Sequence, residues 1–185
     1  MLSSLPNILT LSRIVMIPIL VALLYVDTPL CRWLALGAYT VACVTDYFDG
    51  YLARNMNETS ALGRFLDPIA DKLLIASVIV MLVGTDQIAG LTIIAGMIIL
   101  CREILISGLR EFLAEIKVSV PVSKLAKWKT TIQMLAMGFL IVGTAGPDGW
   151  PVLLIGETGL WIAAVLTLVT GYDYLSKGLE HMLKG

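Results

Sequence analysis

Histidine, cysteine and charge are all scarce in this chain. Its 185 residues hold one histidine and three cysteines, and only 15% are Asp, Glu, Lys or Arg. A lone His181 excludes a multi-histidine metal centre. Cys31, Cys43 and Cys101 lie in apolar surroundings without paired spacing, as small buried hydrophobes do, rather than as a disulfide framework or thiolate metal site. The net charge is −1, so no global field favours a polyanion, and no nucleic-acid partner is expected. Low-complexity tracts, repeats and long linkers are also missing, which leaves one domain over residues 1–185. The N-terminus has no basic n-region and no small-x-small cleavage site, and Arg13 and Pro18 interrupt its apolar run. It reads as retained, not as a cleaved signal peptide.

What the chain has in excess is hydrocarbon. Apolar residues make up 58% and mean hydropathy is +0.88, whereas soluble domains carry about 25% charged residues. This is the composition of a membrane protein. A helix needs about 20 residues to cross the hydrocarbon core. Six segments qualify: Leu9–Tyr25, Trp33–Ala53, Leu62–Val83, Ile88 through Glu111, Thr130–Val142 and Pro151–Tyr174. The expected fold is therefore all-α, a polytopic bundle of six transmembrane helices. Five or seven spans are the alternatives, because the fourth and fifth segments are partly polar.

Orientation follows from Lys and Arg. With six spans both termini share one side, and Arg13, Arg54, Arg64, Lys72, Arg102, Arg110, Lys117, Lys124, Lys127, Lys129, Lys177 and Lys184 all fall there. Only Arg32 falls on the other. The expectation is a multi-pass protein of the cytoplasmic (inner) membrane, with both termini facing the cytoplasm.

The little acid that exists is concentrated. Asp46-Tyr-Phe-Asp49-Gly50-Tyr-Leu-Ala53-Arg54 is followed, after eight residues, by Gly63-Arg-Phe-Leu-Asp67-Pro-Ile-Ala-Asp71. On helices Asp46 and Asp49 share one face, as do Asp67 and Asp71. The short connection between the second and third segments makes them antiparallel neighbours, with both acidic faces at the cytoplasmic end. Four unpaired carboxylates there would cost several kcal/mol per ion. They must be protonated, paired with Arg54, Arg64 and Lys72, or compensated by bound cations. Peripheral cations do not obviously satisfy four acids on one seam. Hard divalent ions take oxygen ligands, and Mg²⁺ prefers one or two carboxylates plus phosphates and water. A pair of such ions can clamp a phosphoryl group undergoing displacement. Gly50, Ala53 and Gly63 leave room for a ligand, though they equally permit tight helix contact.

The full pattern resembles the signature of the CDP-alcohol phosphotransferase family: Asp-x-x-Asp-Gly-x-x-Ala-Arg, eight residues, Gly-x-x-x-Asp-x-x-x-Asp. Asp46, Asp49, Gly50, Ala53, Arg54, Gly63, Asp67 and Asp71 match its defining positions. The resemblance implies two divalent cations, Mg²⁺ or Mn²⁺, on Asp46, Asp49, Asp67 and Asp71, with Asp71 also the general base toward the attacking hydroxyl. It implies CDP-diacylglycerol contacts at Gly50, Ala53, Arg54, Ser60 and Gly63. Asn7 and Thr10 either cap the first helix or touch that substrate, as the family's amino-terminal segment does. A homodimer is a further implication.

Three more stretches resemble the family's phosphatidylglycerophosphate-synthase branch: Pro6 to Arg13, Arg102-Glu103 through Arg110-Glu111, and Lys127-Trp128-Lys129 through Gln133. That branch joins CDP-diacylglycerol to sn-glycerol 3-phosphate, releasing CMP. The acceptor phosphate asks for cations near the metals, which points to Arg102, Arg110 and Lys129. Lysines at this level also serve as an ordinary topology signal and attract anionic lipid. Competing readings are a cardiolipin, phosphatidylserine or phosphatidylinositol-type synthase, a membrane prenyltransferase, or a divalent-cation transporter. The transporter predicts polar residues continuing to the far side, and the second and third segments are apolar there.

Overall fold

The computed structural model describes the backbone of residues 5–56, 61–116, 118 and 124–183, and the side chains of 10–46, 65–66, 68–116, 118 and 125–179. Six α-helices follow in order: α1 Leu5–Val26, α2 Pro29–Met56, α3 Ala61–Gly84, α4 Thr92–Glu115, α5 Lys124–Val142 and α6 Val152–Leu183. A 3₁₀ turn, Gly143–Ala145, follows α5. Among the described residues there is no strand, so the all-α expectation holds.

The helix limits follow local chemistry. Thr28 caps α2, its Oγ1 accepting a bond from the Cys31 amide at 3.3 Å, and Pro29 takes the first helical position, where its missing N–H costs nothing. Asp27 (φ 55) and Asp86 (φ 56) bend the chain after α1 and α3; aspartate tolerates the left-handed region better than bulky residues do. Two boundaries differ from the hydropathy reading. α4 starts at Thr92 instead of Ile88, because Gly90 (φ 54) closes a turn first. α5 begins six residues before its apolar stretch, since lysines are good helix formers that hydropathy alone does not register.

Packing is not simply sequential. α1 packs on both α2 and α3, α5 on α2 and α6, and α4 on α3 and α6. Among the described residues α2 and α3 both pack against α1; the side chains flanking their connection, where the expected side-by-side pairing falls, lie outside the described residues. α5 and α6 approach closely: a Cβ at Gly156 would lie 2.7 Å from Leu140 Cγ, and one at Gly159 would lie 2.9 Å from Ala136 Cβ. α4 and α6 run parallel, with Gly171 on Arg102 and Gly178 on Leu109.

The core runs through the bundle and includes Leu20, Tyr39, Leu74, Val78, Leu82, Ile99, Met137 and Leu160. A smaller cluster of Ile106, Leu109 and Leu113 lies against Tyr174 and Leu175. The outer surface is equally apolar. Val15, Val80, Ile104, Leu135, Leu154 and Val165 are each more than half exposed, while Arg13, Arg32 and Lys129 are buried. α4 and the Val152–Leu179 part of α6 are long and apolar enough to cross a membrane, and Thr10–Val26 is a shorter apolar helix.

At the end of the bundle where α1 meets α2, a polar clamp ties the turns together. Buried Arg32 pairs with Asp27. Trp33 Nε1 donates to the Ala145 carbonyl at 3.1 Å, and Gln87 Nε2 donates to the Thr85 carbonyl at 3.1 Å. Gly143 (φ 49) passes so close that a Cβ there would lie 1.9 Å from Gln87 Oε1 and 2.6 Å from Arg32 Nη1.

Candidate active site

The site lies at the opposite end of the bundle. Asp46, on α2, accepts a bond from Arg13 Nη1 of α1 at 2.8 Å. The Arg13 side chain is fully buried and that of Asp46 is 35% exposed. A guanidinium buried this deeply needs a counter-charge, and Asp46 supplies it. This pairing was not anticipated from the sequence, although an arginine inside an apolar helix is a functional candidate by default. Of the cations expected as possible partners for the acids, the Arg54 and Arg64 side chains lie outside the described residues. Lys72 lines the same cavity as Asp71.

Asp71, on α3, faces a cavity of about 300 Å³ lined by Pro68, Lys72, Arg102, Glu103, Ile106, Ser107, Arg110, Glu111 and Ala114. The charges of Asp46 and Asp71 both reach Cys43 on α2, so the two acid-bearing helices do bring these carboxylates to one neighbourhood. Asp49 follows Asp46 by one turn on α2, and Asp67 precedes Asp71 by one turn on α3, but their side chains lie outside the described residues. So do those of Asn7, Gly50, Ala53, Arg54 and Gly63, and Ser60 altogether. Thr10 is buried, one turn before Arg13 on α1. Among the described residues no three potential metal ligands are gathered. What is described fits a hard cation: the carboxylates of Asp46 and Asp71 come from two helices to one neighbourhood, and such ions take oxygen ligands.

Opposite Asp71 stands a group of cations. Arg102 Nη1 donates to Glu103 Oε1 at 3.3 Å, and Lys129 Nζ donates to the same oxygen. Glu103 thus joins α4 to α5. Arg102 Nη2 donates to Thr170 Oγ1 of α6 at 3.4 Å. The Thr170 hydroxyl in turn donates to the Leu166 carbonyl at 2.8 Å. Gly171 completes the seat, since a Cβ there would lie 3.1 Å from Arg102 Cγ. Arg110, two turns along α4, lines the same cavity, its Cζ 5.6 Å from the Tyr174 ring centroid. The three cations singled out from the sequence therefore fall on one side of the bundle, with Arg102 and Lys129 held by one carboxylate. Lys127 is exposed, as expected of a solvated lysine.

Glu103, Thr170 and Gln133 add to the site beyond what the motifs indicated. Gln133 lies one turn after Lys129 on the same face of α5; it is buried, and its Oε1 has no hydrogen-bond partner among the described residues. A buried acceptor left unpaired costs about 1–3 kcal/mol. Its sequence signals were its spacing from Lys129 and its place at the end of the Lys127–Gln133 stretch. Chemically, a carboxylate facing cations across a small polar cavity can take a proton from an alcohol whose own anionic group rests on those cations.

Comparison with known proteins agrees with this chemistry. Residues 3–169 match the model of the family described as CDP-alcohol phosphatidyltransferase. A Rickettsia bellii protein is 49% identical over 171 residues, covering 92% of this chain and 93% of its own. A Shigella flexneri protein is 40% identical over 182 residues and a Cereibacter sphaeroides protein 37% over 214, each alignment covering 97% of both chains. All three are named CDP-diacylglycerol--glycerol-3-phosphate 3-phosphatidyltransferase. A family match over residues 3–169, together with relatives aligned over nearly the whole chain, makes this chain a member of the CDP-alcohol phosphatidyltransferase family.

Proposed function

We propose that the chain transfers the phosphatidyl group of CDP-diacylglycerol to sn-glycerol 3-phosphate, giving phosphatidylglycerophosphate and CMP. The observation that carries this reading is the cavity shared by Asp71, Lys72, Arg102 and Arg110. It offers a base and a phosphate-binding surface to one small acceptor, which serine and inositol, lacking a phosphate, do not need. The names of the relatives point to the same pair of substrates.

In this reading Arg102, Arg110 and Lys129 bind the acceptor phosphate and orient its hydroxyl toward Asp71, which takes the hydroxyl proton. Orientation of this kind is itself a large share of catalysis. Gly50, Ala53, Arg54, Ser60, Gly63, Asn7 and Thr10 would receive CDP-diacylglycerol. Asp46, Asp49, Asp67 and Asp71 would hold two divalent cations, Mg²⁺ or Mn²⁺, which when bound offset negative charge on the phosphoryl oxygens. Arg13 holds the Asp46 carboxylate in place. All six helices span the bilayer, both termini and the site face the cytoplasm, and the protein acts as a homodimer. The apolar outer surface with buried cations supports the membrane assignment.

The test is an acceptor panel with purified protein, CDP-diacylglycerol and Mg²⁺. Lipid product and CMP are expected with glycerol 3-phosphate. Product with serine or inositol but none with glycerol 3-phosphate would overturn the assignment. Metal-dependent ion flux into liposomes without CMP release would favour a transporter instead.

A further inference from the structure

The cationic side of the site contains an acid, and that acid is in an unexpected place. Glu103 points into the cavity meant for an anion. Its carboxylate would repel an incoming phosphate, so a role in stability alone does not explain why it stands there.

Its partners suggest a different purpose. Arg102 and Lys129 come from different helices, and their side chains are 13% and 5% exposed. Two cations this close and this poorly hydrated repel one another when no ligand is present. Each would lower that cost by swinging toward water, and the lysine could also give up its proton. One Glu103 oxygen accepts from both, which pins the two nitrogens side by side while leaving further N–H groups on each. Arg102 is additionally braced by Thr170 and Gly171, whereas no other side chain is bonded to the Lys129 ammonium among the described residues. Glu103 is therefore the bonded anchor of Lys129, with the charge of Asp71 a further attraction on it.

We infer that Glu103 is a positioning residue, the carboxylate that holds Lys129 and Arg102 as a preformed clamp for the acceptor phosphate. This rests on the reading above, in which those two cations bind that phosphate. Its effect is preorganisation: the ordering of two long side chains is done before the ligand arrives. Local repulsion of phosphate by Glu103 is the smaller term, because the clamp and the bound anion together remain near charge balance once Arg110 and Lys72 are counted.

The experiment is steady-state kinetics in detergent micelles with E103Q, E103D, K129Q and the E103Q/K129Q pair, varying each substrate in turn. Losing a charge-assisted hydrogen bond should raise the KM for sn-glycerol 3-phosphate about tenfold in E103Q. The KM for CDP-diacylglycerol should stay within about twofold and kcat within about threefold. E103D, which retains the charge, should recover most of the loss, and the pair should be no worse than K129Q alone, as expected of residues acting through one another. At equal concentration glycerol 3-phosphate should raise the unfolding temperature of wild type and E103D more than that of E103Q, with CDP raising all three alike. If E103Q lowers the acceptor KM or leaves it within about twofold, or if the two substitutions add, the positioning role is wrong. Equal loss in both KM values together with loss of CDP stabilisation would mean that Glu103 is merely structural. If K129Q itself leaves the acceptor KM unchanged, the phosphate assignment of Lys129 fails first, a result distinguishable from failure of Glu103 alone.

Discussion

Gly143 offers a quantitative test of the frame that carries the site. Its φ of 49° lies in the left-handed region, where an alanine costs about 1–2 kcal/mol. The added Cβ would also sit 1.9 Å from Gln87 Oε1 and 2.6 Å from Arg32 Nη1. Gln87 is buried and tied to the Thr85 carbonyl, and Arg32 is buried and tied to Asp27. Neither can yield freely, so overpacking adds about 1–3 kcal/mol. Gly143→Ala should therefore destabilise by about 4 kcal/mol, or about 10 °C in unfolding temperature at the 2–4 °C per kcal/mol typical of chains this size. Tryptophan fluorescence during heating in detergent is a suitable assay, because Trp33 bonds to Ala145, two residues away. Gly143 lies roughly 20 Å along α5 from Lys129, so activity per folded molecule should be unchanged. In a Gln87→Ala background the shortest clash is removed, so the loss should shrink, while the Arg32 contact and the backbone part, about 1–2 kcal/mol, should remain. A fall of less than about 2 °C, or lost turnover at unchanged unfolding temperature, would refute the reasoning.

Other predictions concern the site itself. Asp71→Asn should lower turnover by about 10²–10⁴-fold while CDP-diacylglycerol binding, followed by equilibrium titration, is largely retained; near-normal turnover would remove the general-base role. Chelation should abolish activity and added Mg²⁺ or Mn²⁺ restore it, with Asp46→Asn shifting the metal titration to higher concentration; an unchanged titration would count against Asp46 as a ligand. Gln133→Met removes an unpaired buried acceptor, so thermal unfolding should show equal or greater stability, and a loss beyond about 2 kcal/mol would mean that Oε1 has a partner after all. Arg110→Leu should weaken acceptor binding less than Arg102→Leu does, because Arg110 is exposed and its stacking on Tyr174 is worth only about 0.5–1 kcal/mol; an equal loss in the acceptor KM would reverse that order.

The helices were legible because each is long, apolar and closed by residues that turn the chain, such as Asp27-Thr28-Pro29 before α2 and Gly146 to Gly149 before α6. Hydropathy failed where composition and conformation part company. The lysines of α5 are helical but polar, and Ile88 is apolar and buried but belongs to a turn. Neighbours were harder to read than elements. Nothing local to α1 states that it packs against both acid-bearing helices, since that choice depends on how surfaces fit in three dimensions. Spacing put Asp46 and Asp71 on helices expected to meet, and the charges of both do reach Cys43; the Asp49 and Asp67 side chains lie outside the described residues. Pairing of Glu103 with a nearby Arg or Lys was an open reading of the sequence, but the bond from Arg13 to Asp46 was not, because it joins residues far apart in sequence.

The parallel alignment of α4 with α6 also bears on how the protein is made. Two parallel helices cannot form a hairpin, so Arg102 waits for α5 to return and for α6 to arrive before it meets Thr170 and Gly171. Contacts of such sequence separation form late, because loop closure precedes any gain from them. The carboxylates of α2 and α3 are synthesised well before the surface proposed to receive the acceptor has its final wall. A nascent chain stopped short of Thr170 would carry the acids but not the seat of Arg102, so the proposed acceptor surface would be the last part of the site to be completed.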